Sequence, residues 1–251
     1  MNNRQPDIRY SDPGNGRRLA YRLRPGSAPT LLFLPGYASD MDGAKAIALD
    51  GFAESRGIAM LRFDYSGTGQ SGGSFEDGTL AGWLDEALAM VDRHTDGPII
   101  PIGSSMGAWI ALHLAIRVPD KVQALVGIAA APDFTDWGFD AEQKKELREN
   151  DRIERANPYG GEPQLTTRAF WESGESLRLL ESPIAIDCPV RLVHGDADHD
   201  VPIEVAIKLM QQLRSADVQL NVLKDGGHRL SETHEIEAIV RTVAALLEPV
   251  A

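Results

Sequence analysis

The sequence is poor in several residue types, and each shortage excludes a class of protein. Cys188 is the only cysteine among 251 residues, so the chain can form neither an intramolecular disulfide nor a thiolate metal cluster. Lys and Arg together number 25 against 37 Asp and Glu, which gives a formal net charge of −12. This balance argues against a nucleic acid or an anionic membrane as partner, because both require clustered cations.

Long hydrophobic runs are also missing. The longest apolar stretches span about eight residues, whereas a membrane-spanning helix needs about 20. The polar segment Met1–Asn15 carries no apolar core of a signal peptide. Together with the single cysteine, these features predict a cytoplasmic protein without a membrane span, acting on a small molecule or another protein. They leave the oligomeric state open.

What the sequence does contain is typical of one globular domain. Hydrophobic residues make up 43% and charged residues 25% of the chain, a composition that can bury a large core without disulfides. A length of 251 residues suits one α/β domain and is too short for two such domains with a linker. We therefore expect residues 1–251 to form a single domain.

Short apolar runs alternate with longer amphipathic segments, which predicts a mostly parallel sheet with helices on both faces, an α/β fold. The predicted strands are Leu31–Leu34, Ile58–Phe63, Ile99–Ile102, Val122–Ala129, Val190–Val193 and Val218–Val222. The predicted helices, with apolar residues every three or four positions, are Gly43–Ser55, Thr79–His94, Met106–Val118, Ile203–Leu213 and Glu232–Leu247. Tyr10 and Leu19–Leu23 are expected to add an antiparallel edge.

The segment from about Pro132 to Asp187 interrupts this alternation, since about 55 residues separate two predicted strands. It contains a charged stretch, predicted helical, around Glu142–Arg155. It also holds six of the sixteen aromatic residues: Phe134, Trp137, Phe139, Tyr159, Phe170 and Trp171. We expect this insertion, about 132–187, to be a small helical lid. The alternative is a helical insertion that only packs on the sheet.

The segment Gly103-Ser104-Ser105-Met106-Gly107 matches the G-x-S-x-G pattern of a nucleophile elbow, and it lies between a predicted strand and a predicted helix. The turn is so tight that the residues two before and two after the nucleophile must be small, a need that Gly103 and Gly107 meet. This frame selects Ser105 rather than Ser104 as the nucleophile. A serine hydroxyl needs a base within hydrogen-bond reach.

The acid and the base of such a site follow the serine in chain order. The predicted strand Val190–Val193 leads into a loop with three aspartates, and Asp198 holds the fifth place of H-G-x-x-D-x-x-V-P, a pattern frequent in hydrolases of this type. Asp196 and Asp200 remain candidates, with expected roles in shaping the loop. His228 is the predicted base, because its loop lies between a strand and the last helix. The other histidines precede the acid, adjoin it or fall within a predicted helix: His94, His113, His194, His199 and His234.

Hydrolysis through a tetrahedral intermediate needs N–H donors aimed at the developing negative oxygen. The N–H of Met106, directly after the nucleophile, is one predicted donor. The N–H of Tyr37, in the loop after the predicted strand Leu31–Leu34, is the other. Both donors belong to the backbone, so the predicted chemistry requires no cofactor and no metal.

Two further patterns suggest other functions, but their context does not support them. Residues 67–72 satisfy G-x-G-x-x-G, yet a dinucleotide-binding turn enters a helix at once, and residues 73–78 are predicted loop. The run His194-x-Asp196-x-Asp198-His199 is similar to a binuclear metal motif without its central histidine. Neither a nucleotide site nor a metal site is predicted.

These motifs make the chain similar to the α/β-hydrolase superfamily over nearly its whole length. Four segments resemble one branch, the palmitoyl-protein thioesterases that also hydrolyse acyl glucuronides: Leu34–Tyr37, Arg62–Gly67, Gly103–Trp109 and Cys188–Leu192. The resemblance implies Ser105, Asp198 and His228 as a catalytic triad, and acyl thioesters or esters, including acylated proteins, as substrates. Pro35 stands where many relatives have histidine, which leaves the backbone donors unaffected.

The predicted reaction is two-step acyl transfer, in which Ser105 forms an acyl-enzyme, His228 moves the proton and water releases the acid. A carboxylesterase or a monoacylglycerol-type lipase is the alternative within enzymes. A non-catalytic binding module of the same fold is the alternative from another class.

Overall fold

The computed structural model describes residues 5–14, 16–157, 160 and 163–248. The strands in these residues are β1 Arg9–Ser11, β2 Leu19–Arg24, β3 Ser27–Leu34, β4 Ile58–Phe63, β5 Ile99–Ser104, β6 Leu125–Ile128, β7 Arg152–Arg155, β8 Gln164–Thr167, β9 Val190–Gly195 and β10 Val218–Leu223. The α-helices are α1 Ala44–Arg56, α2 Leu80–His94, α3 Met106–Arg117, α4 Phe134–Trp137, α5 Ala141–Asn150, α6 Arg168–Glu175, α7 Ile203–Gln212 and α8 Thr233–Leu247. None of the helices in the described residues is long and apolar enough to cross a membrane.

Eight strands form one sheet in the order β1-β2-β4-β3-β5-β6-β9-β10. The pairs β1–β2 and β2–β4 are antiparallel, and every other pair of this sheet is parallel. The chain moves from β3 outward to β4 and then returns to the other side of β3 with β5. The strand order therefore reverses at β3, and the loops after β3 and β5 diverge at the carboxyl edge of the sheet, where such folds bind ligands.

Helices cover both faces of the sheet, as the alternation of apolar and amphipathic segments predicts. On one face lie α1 and α8, where Leu49 of α1 and Leu31 of β3 belong to the same buried cluster. On the other face lie α2, α3 and α7, and there Trp109 and Leu32 belong to a second cluster. Successive residues of β3 point to opposite faces, so both faces of this strand are buried, which explains its unbroken apolar run.

The strands and helices predicted outside the insertion are present, with shifted ends. β3 begins at Ser27, earlier than predicted, because Ser27 pairs with Ile58 before a register shift that precedes Leu31. β6 begins at Leu125, later than predicted, because Val122 forms only an isolated bridge to Ile99. Hydrophobicity alone does not distinguish a ladder residue from an isolated bridge, which is why these ends were missed.

The insertion between β6 and β9 contains α4, α5, β7, β8 and α6. It has a small buried cluster of its own, formed by Phe139, Leu147, Ile153 and Trp171. Tyr159, one of the aromatic residues counted in its sequence, lies outside the described residues.

The insertion contains three helices, in keeping with the expected small helical lid, and also a two-stranded antiparallel sheet of β7 and β8 that the sequence does not predict. The helix predicted around Glu142–Arg155 ends at Asn150, where Asp151 adopts a left-handed conformation with φ of 63°. Asp tolerates this conformation better than most residues. Beyond it Ile153 is buried between the exposed residues Arg152 and Glu154, a period of two that is typical of a strand.

Candidate active site

Ser105 forms the turn between β5, which ends at Ser104, and α3, which begins at Met106. Its φ of 53° and ψ of −118° lie in a region that residues with a side chain rarely adopt. The Ser105 N–H donates a 2.8 Å hydrogen bond to the carbonyl of Ile128 in β6. The neighbouring strand therefore helps to hold the strained turn.

Gly103 and Gly107 leave no space for a side chain at this turn. A Cβ atom added at Gly103 would lie 2.3 Å from the backbone nitrogen of Ala108. One added at Gly107 would lie 2.1 Å from the carbonyl oxygen of Leu34. Both distances are far below the van der Waals separation of two atoms. The obstructing atoms belong to the backbone, which cannot move aside, so the elbow needs glycine at both positions.

The structure brings the three predicted triad residues together. His228 Nε2 lies 3.1 Å from Ser105 Oγ, and His228 Nδ1 lies 2.9 Å from Asp198 Oδ2. The Asp198 side chain is fully buried, and the His228 side chain is 16% exposed. A proton on Nδ1, donated to the carboxylate, leaves Nε2 free to accept the serine hydroxyl proton.

Hydrogen bonds keep the Asp198 carboxyl group ionised. Its Oδ1 accepts the N–H groups of Asp200 and Val201, each at 2.9 Å. Burial opposes ionisation, but the hydrogen bond and charge of His228, together with these two N–H donors, outweigh it and hold the pKa of Asp198 below its ordinary value. Asp198 is therefore a carboxylate at neutral pH, as an orienting acid must be.

The other two candidate aspartates have different surroundings. Asp196 Oδ1 accepts the N–H of Asp225 at 2.5 Å, which ties the acid loop to the loop that carries His228. Asp200 is exposed and lies on the wall of the cavity described below. Of the three aspartates of this loop, Asp198 is the one in contact with His228.

The two predicted oxyanion donors belong to segments that adjoin Ser105. Met106 is the first residue of α3, whose N-terminal end carries a partial positive charge. The other segment, Gly36 to Tyr37, passes so close to the elbow that a Cβ added at Gly36 would lie 3.4 Å from Ser105 Cβ. Both N–H groups therefore lie on backbone that borders Ser105.

Side chains from β4 fix the loop that contains Tyr37. Asp64 follows β4, and its Oδ1 accepts the N–H of Met41 at 2.7 Å. Arg62 donates a 2.9 Å hydrogen bond to the carbonyl of the same residue. Both side chains are almost fully buried. Through these bonds the segment Arg62–Gly67, one of the family-like motifs, supports the loop of Tyr37.

A cavity of about 870 Å³ opens at Ser105 and His228. Its size is that of a pocket for a small or extended organic ligand. Residues of the insertion form much of its wall, and residues from the rest of the domain complete it. The apolar and aromatic side chains in the wall are Tyr37, Phe75, Phe134, Trp137 and Leu165.

Three basic side chains line this cavity and were not predicted: Lys45, Arg155 and Arg229. Lys45 Nζ donates a hydrogen bond to the carbonyl of Arg229. Burial, with a smaller effect from the positive charge of Arg229, lowers the pKa of Lys45 to about 8. Lys45 lies soon after the predicted oxyanion loop in the sequence, and Arg229 directly follows the predicted base. Their positions in the sequence could therefore have indicated that they lie near the site. Arg155 gives no such signal, because its position depends on the β7–β8 hairpin.

The remaining histidines have structural surroundings or lie at the surface. His194 is buried, with Nε2 2.9 Å from the carbonyl oxygen of Val201, so it helps to shape the loop of Asp198. His113 Nε2 lies 2.8 Å from the carbonyl oxygen of Leu177. His234 is exposed, and His199 lies in the cavity wall.

A serine–histidine–aspartate arrangement beside a strand–turn–helix elbow, on a mostly parallel sheet of eight strands, is characteristic of the α/β hydrolases. The model of the family described as alpha/beta hydrolase fold matches residues 29–158. The chain belongs to this family, and the predicted fold is confirmed.

Among individual relatives, the chain is 38% identical over 234 residues to the mitochondrial palmitoyl-protein thioesterase ABHD10 of Homo sapiens, covering 92% of this chain and 76% of the human one. A protein of Agrobacterium vitis S4 classed as a hydrolase superposes with a TM-score of 0.91 at 38% identity, covering 98% of this chain and 100% of that one. Mouse alpha/beta hydrolase domain-containing protein 10 superposes with a TM-score of 0.90 at 35% identity, covering 96% and 98%. The resemblance found in the motifs is confirmed across almost the whole chain.

The expectation of a cytoplasmic protein is wrong. The thioesterases of Homo sapiens, Pongo abelii, Bos taurus and Mus musculus that match over 92% of this chain are all named as mitochondrial. A single cysteine shows only that no intramolecular disulfide forms, and it does not distinguish one reducing compartment from another.

Proposed function

We propose that this protein is a serine hydrolase that cleaves acyl thioesters and carboxylic esters through an acyl-enzyme on Ser105. The observation that carries the proposal is the hydrogen-bonded path from Ser105 Oγ through His228 to Asp198, with distances of 3.1 and 2.9 Å. The substrate class is supported by the name of the human relative, a palmitoyl-protein thioesterase.

In the acylation step Ser105 Oγ attacks the carbonyl carbon of the substrate, and the carbonyl π electrons move onto its oxygen. His228 Nε2 takes the hydroxyl proton as the new C–O bond forms. The N–H groups of Tyr37 and Met106 stabilise the oxyanion. Asp198 stabilises the imidazolium ion, because its carboxylate accepts the hydrogen bond from Nδ1.

The tetrahedral intermediate then collapses, and the bond to the thiolate or alkoxide leaving group breaks. His228 donates the proton that it took from Ser105 to this leaving group. In deacylation a water molecule attacks the acyl-enzyme while His228 accepts its proton, and His228 then returns that proton to Ser105 Oγ. The products are a carboxylic acid and a thiol or alcohol, and no cofactor takes part.

The insertion 132–187 acts as a lid in this proposal. Its residues Phe134, Trp137 and Leu165 contribute apolar surface to the cavity that contains Ser105. An apolar wall is favourable for an acyl chain, since burying methylene groups contributes about 0.8 kcal/mol each.

The alternative functions are less well supported. A carboxylesterase and a monoacylglycerol-type lipase would use the same three residues, so they differ from this proposal only in acyl chain and leaving group. A non-catalytic binding module would have no use for the strained backbone of Ser105, which costs about 1–3 kcal/mol and persists mainly where function requires it.

Labelling with a fluorophosphonate probe tests the nucleophile. We expect the wild-type protein and Ser104→Ala to be labelled and Ser105→Ala to remain unlabelled. Labelling of Ser105→Ala at the wild-type rate would refute the assignment. A series of oxoesters and thioesters of graded acyl length, assayed for kcat/KM, tests the substrate class.

A further inference from the structure

The Tyr37 side chain makes a contact that is independent of its backbone N–H. Its hydroxyl donates a 2.7 Å hydrogen bond to the carbonyl of Leu165 in β8. Burial raises the pKa of Tyr37 above its ordinary value, so the phenol remains a protonated donor at neutral and mildly alkaline pH. One residue thus joins the predicted oxyanion loop to the insertion.

The ring of Tyr37 lies between the core and the insertion. Its centroid is 5.1 Å from that of Phe75 and 6.0 Å from that of Trp83, both outside the insertion. On the other side it is 4.7 Å from Phe170 and 6.0 Å from Phe134 of the insertion. These aromatic contacts hold the ring in one place and thereby fix the direction of its hydroxyl.

The hairpin of β7 and β8 is anchored on one side by Ile153, which is buried in the cluster of the insertion. As a two-stranded sheet it leaves one edge of each strand without a partner strand, so polar contacts from outside the hairpin add to this anchoring. The hairpin also has an ion pair with a residue outside the insertion, between Arg152 and Glu76 at 3.5 Å. Both side chains of that pair are more than half exposed, and such pairs contribute little to stability. The bond from the half-buried Tyr37 to Leu165 is therefore the stronger of these two polar contacts.

We propose that the Tyr37 hydroxyl is a positioning and specificity-determining group, which holds the Leu165 wall of the cavity in place so that a long acyl chain binds between the hairpin and the core. Gln164 and Leu165 both line the cavity, and so does Tyr37 itself. The specificity part rests on the proposed function, whereas the docking of the hairpin does not.

The experiment compares Tyr37→Phe with a matched control, Tyr65→Phe. Tyr37→Phe keeps the ring and its aromatic contacts, and it removes only the hydroxyl. Tyr65 is also a buried tyrosine, its ring centroid 5.5 Å from that of Trp83, and within the described residues its hydroxyl has no hydrogen-bond partner. The two variants therefore make the same chemical change, with and without loss of a hydrogen bond.

Two experiments are carried out. The first measures hydrogen exchange of the backbone amides in β8, and the second measures kcat and KM for p-nitrophenyl acetate and p-nitrophenyl decanoate. For Tyr37→Phe we expect faster exchange in β8 and a ratio of kcat/KM for the decanoate to kcat/KM for the acetate about fivefold below that of wild type, as loss of one hydrogen bond implies. A change in rate common to both esters belongs to the predicted oxyanion loop that carries Tyr37 and does not affect this ratio. Tyr65→Phe is expected to match wild type in each.

Unchanged exchange in β8 of Tyr37→Phe would overturn the docking role, whatever the enzyme hydrolyses. Faster exchange with an equal loss of kcat/KM for both esters would overturn the specificity role and leave the docking role supported. If the wild-type protein hydrolyses neither ester, the proposed function fails, and the exchange result still decides whether the hydroxyl docks the hairpin.

Discussion

Gly195, the last residue of β9, lies directly against Gly226 of the loop that carries His228. A Cβ atom at Gly195 would be 2.0 Å from the carbonyl oxygen of Gly226. That oxygen also accepts the N–H of Ala197 at 3.0 Å. The backbones of the acid loop and the base loop are therefore in contact close to Asp198 and His228, and this contact sets how far apart the two side chains lie.

Replacing Gly195 with alanine should displace the base loop. Because the obstructing atoms are backbone, we expect Gly195→Ala to lower the free energy of unfolding by about 1–3 kcal/mol and to reduce kcat at least tenfold. Urea unfolding and steady-state kinetics measure the two effects. Gly227→Ala is the control, since a Cβ there meets no atom within 4 Å. Equal effects of the two substitutions would contradict the steric explanation.

The elbow could be predicted from the sequence because its pattern lies within one continuous strand–turn–helix segment. Gly103 is required by the backbone of Ala108 in the same segment, and Gly107 by the carbonyl of Leu34 in β3, against which the elbow packs. Chain order also predicts His228 as the base, since its loop follows β10, the next-to-last element. These features repeat in sequence wherever the same strand–turn–helix unit is built.

The features that could not be predicted depend on contacts between distant segments. The bond from Tyr37 to Leu165 joins residues 128 positions apart, and no local pattern marks either partner. The sequence does not predict the hairpin, because the charged stretch after Ala141 favours a helix until Asp151 turns the chain. The contacts of Asp196 with Asp225 and of Asp198 with His228 depend on how the loop of His228 lies against the loop of the aspartates, which the sequence does not specify.

Replacing Asp198 with asparagine should impair catalysis while leaving the shape of the site intact. The amide cannot stabilise an imidazolium ion and favours the wrong tautomer of His228, so we expect kcat to fall by about 10⁴-fold, as in other triads. Asp200→Asn, a change of the same kind in the same loop, should keep kcat within about threefold of wild type. A comparable fall in both variants would show that the acid had been wrongly chosen.

A second prediction for Asp198→Asn concerns how the free energy of unfolding depends on pH. Because the pKa of Asp198 is lower in the folded protein than in the unfolded chain, its ionised form adds stability above pH about 4, and this contribution disappears as the pH falls through the folded-state pKa. The difference in free energy of unfolding between wild type and Asp198→Asn should therefore shrink on acidification below pH about 4. A constant difference would exclude the depressed pKa. Chemical denaturation at several pH values measures it.

Lys45 should make the free energy of unfolding depend on pH in the alkaline range. Its pKa is about 8 in the folded protein against an ordinary value of 10.5, so between these values the unfolded chain binds more protons than the folded one. The free energy of unfolding of wild type should therefore rise relative to that of Lys45→Met as the pH increases from 8 to 10.5. Lys208→Met, whose ammonium group is exposed, is the control and should show a smaller trend. Parallel pH profiles for wild type and Lys45→Met would contradict the shift.

Ser105 should be a site where activity is maintained at the expense of stability. Its φ of 53° is strained for serine and alanine alike, whereas glycine adopts it freely. Relief of about 1–3 kcal/mol of strain outweighs the roughly 0.4–1 kcal/mol that glycine adds to the entropy of the unfolded chain, so Ser105→Gly should unfold at a higher temperature than Ser105→Ala. Ser104, at the end of β5, has no such strain, and there the order should reverse, with alanine more stable than glycine. If Ser105→Gly were the less stable of its pair, the turn would not be strained. Calorimetry of the four variants decides this, and because both Ser105 variants lack the serine hydroxyl, the comparison is independent of any substrate.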